Sequence, residues 1–141
     1  VDKKEISILD PEQSNIFWEK TRSLNVFSNL KNNLLRIIVP GSEALDLINK
    51  LKIYNLRYFI DWGGNLVWVQ LDQLNSNILK EIKTIVKNLG GYVTAIKVDE
   101  SLKSSIDIFT IDDVKYKISE KIKKSFDPKR ILNPGKMYTG I

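Results

Sequence analysis

Few residues in this sequence could do chemistry, and their settings are informative. The 141 residues contain no His and no Cys. That removes imidazole acid–base catalysis, Ser-His-Asp triads, thiol nucleophiles, disulfides and metals held by His or Cys, and no metal site is expected. Carboxylates, Lys, Tyr and borrowed cofactors remain. Arg36 interrupts the apolar run from Leu34 to Val39. A guanidinium there needs an outside anion or its neighbours' carbonyls to offset desolvation. Trp68, in the run Leu66 to Leu71, would form an apolar wall beside such a contact. Near the end, Asn133-Pro134-Gly135-Lys136 places an amide and an ammonium around a Pro-Gly pair. Pro134 biases Asn133 toward extended backbone and Pro-Gly suits the centre of a type II turn, so Asn133 and Lys136 are expected on a segment of fixed shape. Tyr54, Tyr58 and Tyr92 carry hydroxyls for proton transfer, although aromatic residues beside strands belong more often to cores.

Hydrophobic period and turn residues predict the elements that position these groups. Asp10 caps a first helix with Pro11 at its first position, and Ile16, Phe17, Leu24 and Phe27 form its expected buried stripe. Leu34 to Val39 reads as a strand closed by Pro40-Gly41, and Ser42 then caps a short helix with Leu45, Ile48 and Leu51 on one face. Arg57 to Trp62 and Asn65 to Leu71 are strands joined through Gly63-Gly64, read as a two-residue hairpin turn. A helix follows with Ile78, Ile82, Ile85 and Leu89 on one stripe, stopped by Gly90-Gly91, and Tyr92 to Val98 is the next strand. Residues 99–111 give no firm reading. Asp112 or Asp113 caps a last helix bearing Val114, Ile118, Ile122 and Phe126, which stops near Asp127 because Pro128 follows. The order β-α-β-β-α-β predicts an α+β, ferredoxin-like split βαβ fold: a four-stranded antiparallel sheet with two helices on one face, plus N- and C-terminal helices.

Strand alternation then separates two faces. Leu35, Ile37, Val39, Val67, Val69 and Leu71 are aliphatic and belong under the two helices. Leu34, Arg36, Ile38, Leu66, Trp68 and Gln70 mix apolar bulk with polar groups. Such a face suits either cover by the terminal helices or contact with another domain.

Length supports one domain over residues 1–141, since a chain this size buries about 68% of its unfolded surface. No apolar run reaches the roughly 18 residues of a membrane span. The opening Val-Asp-Lys-Lys-Glu lacks a signal peptide's apolar stretch, so a soluble domain is expected. The net charge of +5 first suggests nucleic acid, but Lys outnumbers Arg 18 to 4, whereas phosphate-gripping sites favour Arg. Eight basic residues between Lys115 and Lys136 face only Glu120 and Asp127, read as a solvated helix face with an acidic partner as the alternative.

The tail Phe126-Asp127-Pro128-Lys129-Arg130-Ile131-Leu132-Asn133-Pro134-Gly135-Lys136 resembles the closing motif of the FAD-linked oxidase family. Phe59-Ile60-Asp61-Trp62-Gly63-Gly64 before Trp68, the Gly90-Gly91-Tyr92-Val93-Thr94 run, Phe17-Trp18 and Leu35-Arg36 are similar to the C-terminal half of the FAD-binding subunits of bacterial glycolate oxidases within it. The resemblance implies a C-terminal cap domain closing over FAD, which a larger N-terminal domain outside this sequence mainly binds. It places Asn133, Gly135 and Lys136 near the cofactor; the residues' own chemistry adds Arg36 as an expected anion or cofactor contact and Trp68 as apolar wall. The implied chemistry is two-electron oxidation of a 2-hydroxy acid. The implied partners are the FAD-binding domain of the same protein, a second flavin subunit and an iron-sulfur subunit. The implied location is the cytoplasm, peripheral to the inner membrane through a complex. The family's glycine-rich phosphate loop and the metal-binding His motif of several relatives are missing here, so the isolated chain is expected to be inactive.

Two other readings compete. A free-standing ferredoxin-like module would bind a small ligand or oligomerise through its sheet face. Binding of single-stranded RNA is disfavoured, because Leu66 to Leu71 lacks the basic-Gly-aromatic pattern that stacks bases.

Overall fold

The computed structural model describes residues 7–27, 33–103, 105–138 and 140–141. Helix α1 (Pro11–Arg22) starts as its residues dictate: the Asp10 carboxylate accepts the Gln13 N–H, the Gln13 side chain returns to the Asp10 N–H, and Pro11 occupies the first turn. Strand β1 (Asn33–Ile38) follows, then a 3-10 turn at Gly41–Glu43 and helix α2 (Ala44–Leu51). Strands β2 (Leu56–Asp61) and β3 (Leu66–Leu71) form the hairpin. Helix α3 (Ser76–Asn88), strand β4 (Tyr92–Lys97) and helix α4 (Asp113–Phe126) complete the order. All sheet pairings are antiparallel, in the order β2-β3-β1-β4. This is the α+β, ferredoxin-like arrangement the element order predicted.

Helices α2 and α3 supply the core with the sheet's aliphatic face. Leu35, Ile37, Val67, Val69 and Val93 from the strands are sealed by Leu47, Leu51, Ile82 and Val86 from the helices. Each fully buried side chain of this kind contributes about 1.5–3 kcal/mol. Gly90 (φ 76°) takes the left-handed stop after α3, and the Gly91 N–H reaches back to the Val86 carbonyl. Gly91 also admits close packing: a Cβ there would meet the Ile38 carbonyl oxygen and come within 2.6 Å of Val39 Cγ1. The stretch left unread in the sequence runs beside the outer edge of β4, where Ala95 N–H donates to Ile108 O (2.8 Å) and Thr110 N–H to Val93 O (2.9 Å). These bonds satisfy groups that an edge strand would leave open.

Several local expectations are corrected. Ser42 does not cap α2; it sits inside the 3-10 turn, and Glu43 precedes the helix without a side-chain cap bond. On α2, Leu45 faces solvent while Ala44 and Leu47 join Ile48 and Leu51 inside. On α3 the deepest residues are Leu79, Ile82 and Val86, with Ile78, Ile85 and Leu89 at the margin. Gly63-Gly64 is not a two-residue turn: the last pair is Asp61 with Leu66, leaving a four-residue loop at 62–65. The Asp61 and Asn65 side chains stabilise that longer loop. Helix α1 stops at Arg22, so Leu24 and Phe27 lie beyond it; Phe27 is buried as expected, but Leu24 is only half-buried and Ile16 and Phe17 are exposed.

Candidate functional site

The second sheet face is closed in part. Leu34, Leu66 and Gln70 are buried, whereas Arg36, Ile38 and Trp68 are half-buried and Tyr92 and Ile96 exposed. Across this face the register aligns Phe59, Trp68, Arg36 and Thr94 in one row. Pairing and alternation thus bring the two predicted sheet residues, Arg36 and Trp68, side by side on adjacent central strands.

A third residue completes the group. The Trp62 ring lies over the Arg36 guanidinium, 5.5 Å from Cζ to the ring centroid. Backbone and capping bonds hold Trp62 there. Its N–H donates to Asp61 Oδ1 (2.7 Å), and its carbonyl accepts both the Asn65 N–H (3.2 Å) and Asn65 Nδ2 (3.0 Å). Trp62, Gly63 and Gly64 have φ of 52°, 61° and 99°. Left-handed backbone is free of steric penalty for the glycines but unfavourable for a bulky side chain. The loop is docked further by the Gly41 N–H, which donates to Asn65 Oδ1 (3.1 Å). Sequence reasoning read Trp62 as the end of a strand and as part of the hairpin motif, and gave it no place in the site. The usable signal was Asp61 and Asn65, both capping residue types, bracketing Trp-Gly-Gly.

The tail forms a second, separate group. Helix α4 ends at Phe126 before Asp127-Pro128, as predicted, and Asp112 caps its start by accepting the Lys115 N–H. Asp127 then organises the chain that follows. It pairs with Lys123 at 2.8 Å and accepts the N–H groups of Ile131 and Leu132, each at 2.9 Å. The Lys123 ammonium, then those backbone N–H groups, hold the Asp127 carboxyl down to about 2. Lys123 also donates to the Leu132 carbonyl. Beyond this knot, Lys136 N–H donates to Asn133 O (3.2 Å) and Gly135 has φ 67°, the predicted turn around Pro-Gly. Asn133 itself is not extended: its φ is 45°, in the left-handed region Asn tolerates better than most residues. Gly135 and Lys136 line a cleft of about 650 Å³ with Ile96, Lys97, Glu100 and Lys103, at the end of β4. Arg36, Trp68 and Asn133 do not line it.

The tyrosines divide as well. Tyr54 packs against the helix-side core and donates to Glu81 (2.6 Å), and that hydrogen bond, with burial, pushes its hydroxyl up to about 12. It therefore holds its proton at neutral pH. Register puts Tyr58 on the helix-covered side of edge strand β2 and Tyr92 on the second face. Among the described residues no group of three or more carboxylates is arranged to hold a metal ion.

Comparison with known proteins points in one direction. The family model described as FAD linked oxidases, C-terminal domain, matches residues 109–137, which include the whole tail motif. The chain is 26% identical over 127 residues to glycolate oxidase subunit GlcE of Escherichia coli (strain K12), an alignment covering 89% of this chain and 32% of that protein. The chain therefore spans about a third of the length of the curated relative it matches. No solved structure matches. The family match falls on the α4 and tail segment, and both matches bear out the resemblance to FAD-linked oxidases.

Proposed function

We propose that this chain is the C-terminal cap domain, over residues 1–141, of a flavin-dependent 2-hydroxy acid oxidoreductase subunit of the glycolate oxidase type. One observation carries the reading. The segment that the FAD-linked oxidase model matches forms an apolar surface that the described residues leave uncovered. On α4, Val114, Ile118, Ile122 and Phe126 recur every fourth residue and are 53–86% exposed. Beside them Leu132 and Met137 edge an apolar groove of about 330 Å³ between the helix and the tail. A continuous apolar stripe of this length is characteristic of an interface. The occupant in this reading is the FAD-binding domain of the same protein, with a second flavin subunit and an iron-sulfur subunit as further partners.

The residues present suit a contact with part of FAD. Arg36 offers hydrogen-bond donors to an oxyanion and Trp68 an apolar wall. The Asn133–Lys136 turn brings Gly135 and Lys136 to one cleft, with Asn133 exposed at its start. They do not form a phosphate-cradling loop, so the companion domain would hold most of the cofactor. When bound, the flavin supplies two-electron acceptance. This chain's part is to orient an anionic group, narrow the access of water and close the site. Alone it is catalytically silent. No helix among the described residues is long and apolar enough to cross a membrane. A place in the cytoplasm, peripheral to the inner membrane through the complex, fits this assembly.

The test is reassembly. A separately produced FAD-binding portion of the same protein should co-elute with this chain and retain flavin better in its presence. Failure to associate at micromolar concentrations would overturn the cap reading. A discrete homo-oligomer on sedimentation would instead favour a free-standing ligand-binding or oligomerisation module, in which the α4 stripe serves self-association.

A further inference from the structure

We propose that Arg36 is an oxyanion-binding residue of the second sheet face, and that Trp62 is the positioning residue that aims its guanidinium. The proposal deepens the cap reading by naming the chemistry one end of the site accepts, a carboxylate or a phosphate. It rests on that reading only for which molecule presents the oxyanion.

Three observations converge. Arg36 is half-buried on a central strand and makes no hydrogen bond or ion pair to any described residue. A guanidinium carries N–H donors in a rigid fork and no acceptor, so an oxyanion is the group that would complete this arrangement. Trp62 meets the cation only through its ring, 5.5 Å from Cζ. Such stacking stabilises the charge and limits the guanidinium's motion but accepts none of its N–H groups. The fork therefore remains available for a bidentate oxyanion contact.

The second observation concerns the backbone beneath Trp62. At φ 52°, beside two glycines that take similar angles at no penalty, a tryptophan is a poor choice for the loop itself. Three hydrogen bonds, to Asp61 and from Asn65, hold it there regardless. Strain over-determined in this way is characteristic of residues retained for a contact they make elsewhere. The contact Trp62 makes is with Arg36.

The third is the company these residues keep. The cross-strand neighbours Trp68 and Thr94 provide one apolar and one hydroxyl-bearing flank. Thr94 can donate to a bound oxygen, and Trp68 lowers the local polarity, which strengthens a charge-assisted hydrogen bond.

The test uses the 141-residue chain without any companion half, followed by side-chain N–H resonances of Arg36 and the three tryptophans. Sodium phosphate and sodium glycolate are titrated separately against sodium chloride at matched ionic strength. A saturable shift of the Arg36 Nε–H and Trp62 indole N–H signals is expected, with a Kd of roughly 1–10 mM, as befits one bidentate contact at an open face. Saturation with glycolate alone supports a carboxylate ligand, with phosphate alone a cofactor phosphate, and with both a general oxyanion site. Arg36→Gln should abolish the shift, and Arg36→Lys, which keeps charge but loses the fork, should weaken binding about tenfold. Trp62→Gly should weaken it about tenfold without lowering Tm, while Trp62→Phe should stay within about threefold of the parent.

No saturation beyond chloride, or an Arg36→Gln variant that titrates like the parent, would overturn the site. A Trp62→Gly variant that binds like the parent would overturn the positioning role. Reassembly with the FAD-binding portion is a separate measurement, so the oxyanion site and the cap reading can each fail while the other stands.

Discussion

Helices α3 and α4 both carry apolar residues at helical spacing, three or four apart, and the structure treats them oppositely. On α3, Leu79, Ile82 and Val86 are buried against the sheet, whereas α4 buries none of its residues although Val114, Ile118, Ile122 and Phe126 form just as regular a stripe. The two faces of the sheet repeat the contrast. One is aliphatic and sealed by α2 and α3, and the other keeps Arg36 and Trp68 half-open. Periodicity therefore identifies a helix and the side of it that seeks cover. Whether this chain supplies the cover is a separate question, decided by how many packing layers the same chain contributes.

Mutation should separate the two regions sharply. Ile82→Ala removes a fully buried side chain from the α3 layer and should cost about 2–5 kcal/mol in urea unfolding. A loss below about 1 kcal/mol would mean that this layer is loosely packed and that the contrast with α4 is weaker than it looks. Gly91→Ala probes the same region through the backbone, since the new Cβ would press on the Ile38 carbonyl oxygen, Val39 Cγ1 (2.6 Å) and Val86 Cγ1 (2.9 Å). Rigid neighbours on both sides leave it little room, and a destabilisation of about 1–3 kcal/mol is expected from the same unfolding curves.

Most helix ends, in the sealed and the uncovered regions alike, were legible in the sequence because their signals are local. Asp10 with Pro11, Gly90 after α3, Asp112 before α4 and Asp127-Pro128 after it each act on backbone groups within a few residues, and each works as read. Strand order followed from the alternation of elements. What was not legible depends on partners distant in the chain or on competing side-chain bonds. Asp61 and Asn65 turned an expected two-residue hairpin into a longer loop and carried Trp62 over Arg36, a contact no spacing rule contains. Ile16 and Phe17 have the right period for a core and lie outside it, because helical period does not specify which surface meets them. Of the predicted site residues, Arg36 and Trp68 do meet, through strand register. Gly135 and Lys136 meet other residues at the end of β4 because the tail's course is set by the Asp127 knot.

That knot gives the boundary between the two regions a pH signature. Asp127 has an ordinary pKa of 3.8, lowered to about 2 in the folded chain by Lys123 and the backbone N–H groups of Ile131 and Leu132. A depressed carboxyl stabilises the fold fully above its unfolded value, and the contribution is lost as pH falls through the folded one. Thermal unfolding between pH 5 and pH 2 should therefore show the parent losing stability faster than Asp127→Asn, with the two curves parallel above about pH 5. Protease cleavage within 128–138 should rise over the same range in the parent, because the carboxylate holds that segment against α4. Parallel curves throughout would mean that the tail is held by its apolar contacts instead.

The smallest effect on stability is the most instructive for function. Ile118→Ser leaves helix propensity nearly unchanged and alters a side chain already 53% exposed, so the isolated chain should shift by no more than about 0.5 kcal/mol. Beside the FAD-binding portion, the same change removes an apolar residue from the middle of the stripe and places a hydroxyl at a dry contact. Association should then weaken about tenfold or more in a co-sedimentation titration. The double dissociation matters: Ile82→Ala lowers stability whether or not the companion is present, whereas Ile118→Ser is silent until the companion arrives. A loss of 2 kcal/mol or more in the isolated Ile118→Ser chain would show that α4 is covered by its own chain. Unchanged association would show that the companion docks elsewhere. Either result would leave the exposed period of α4 without the interface that now explains it.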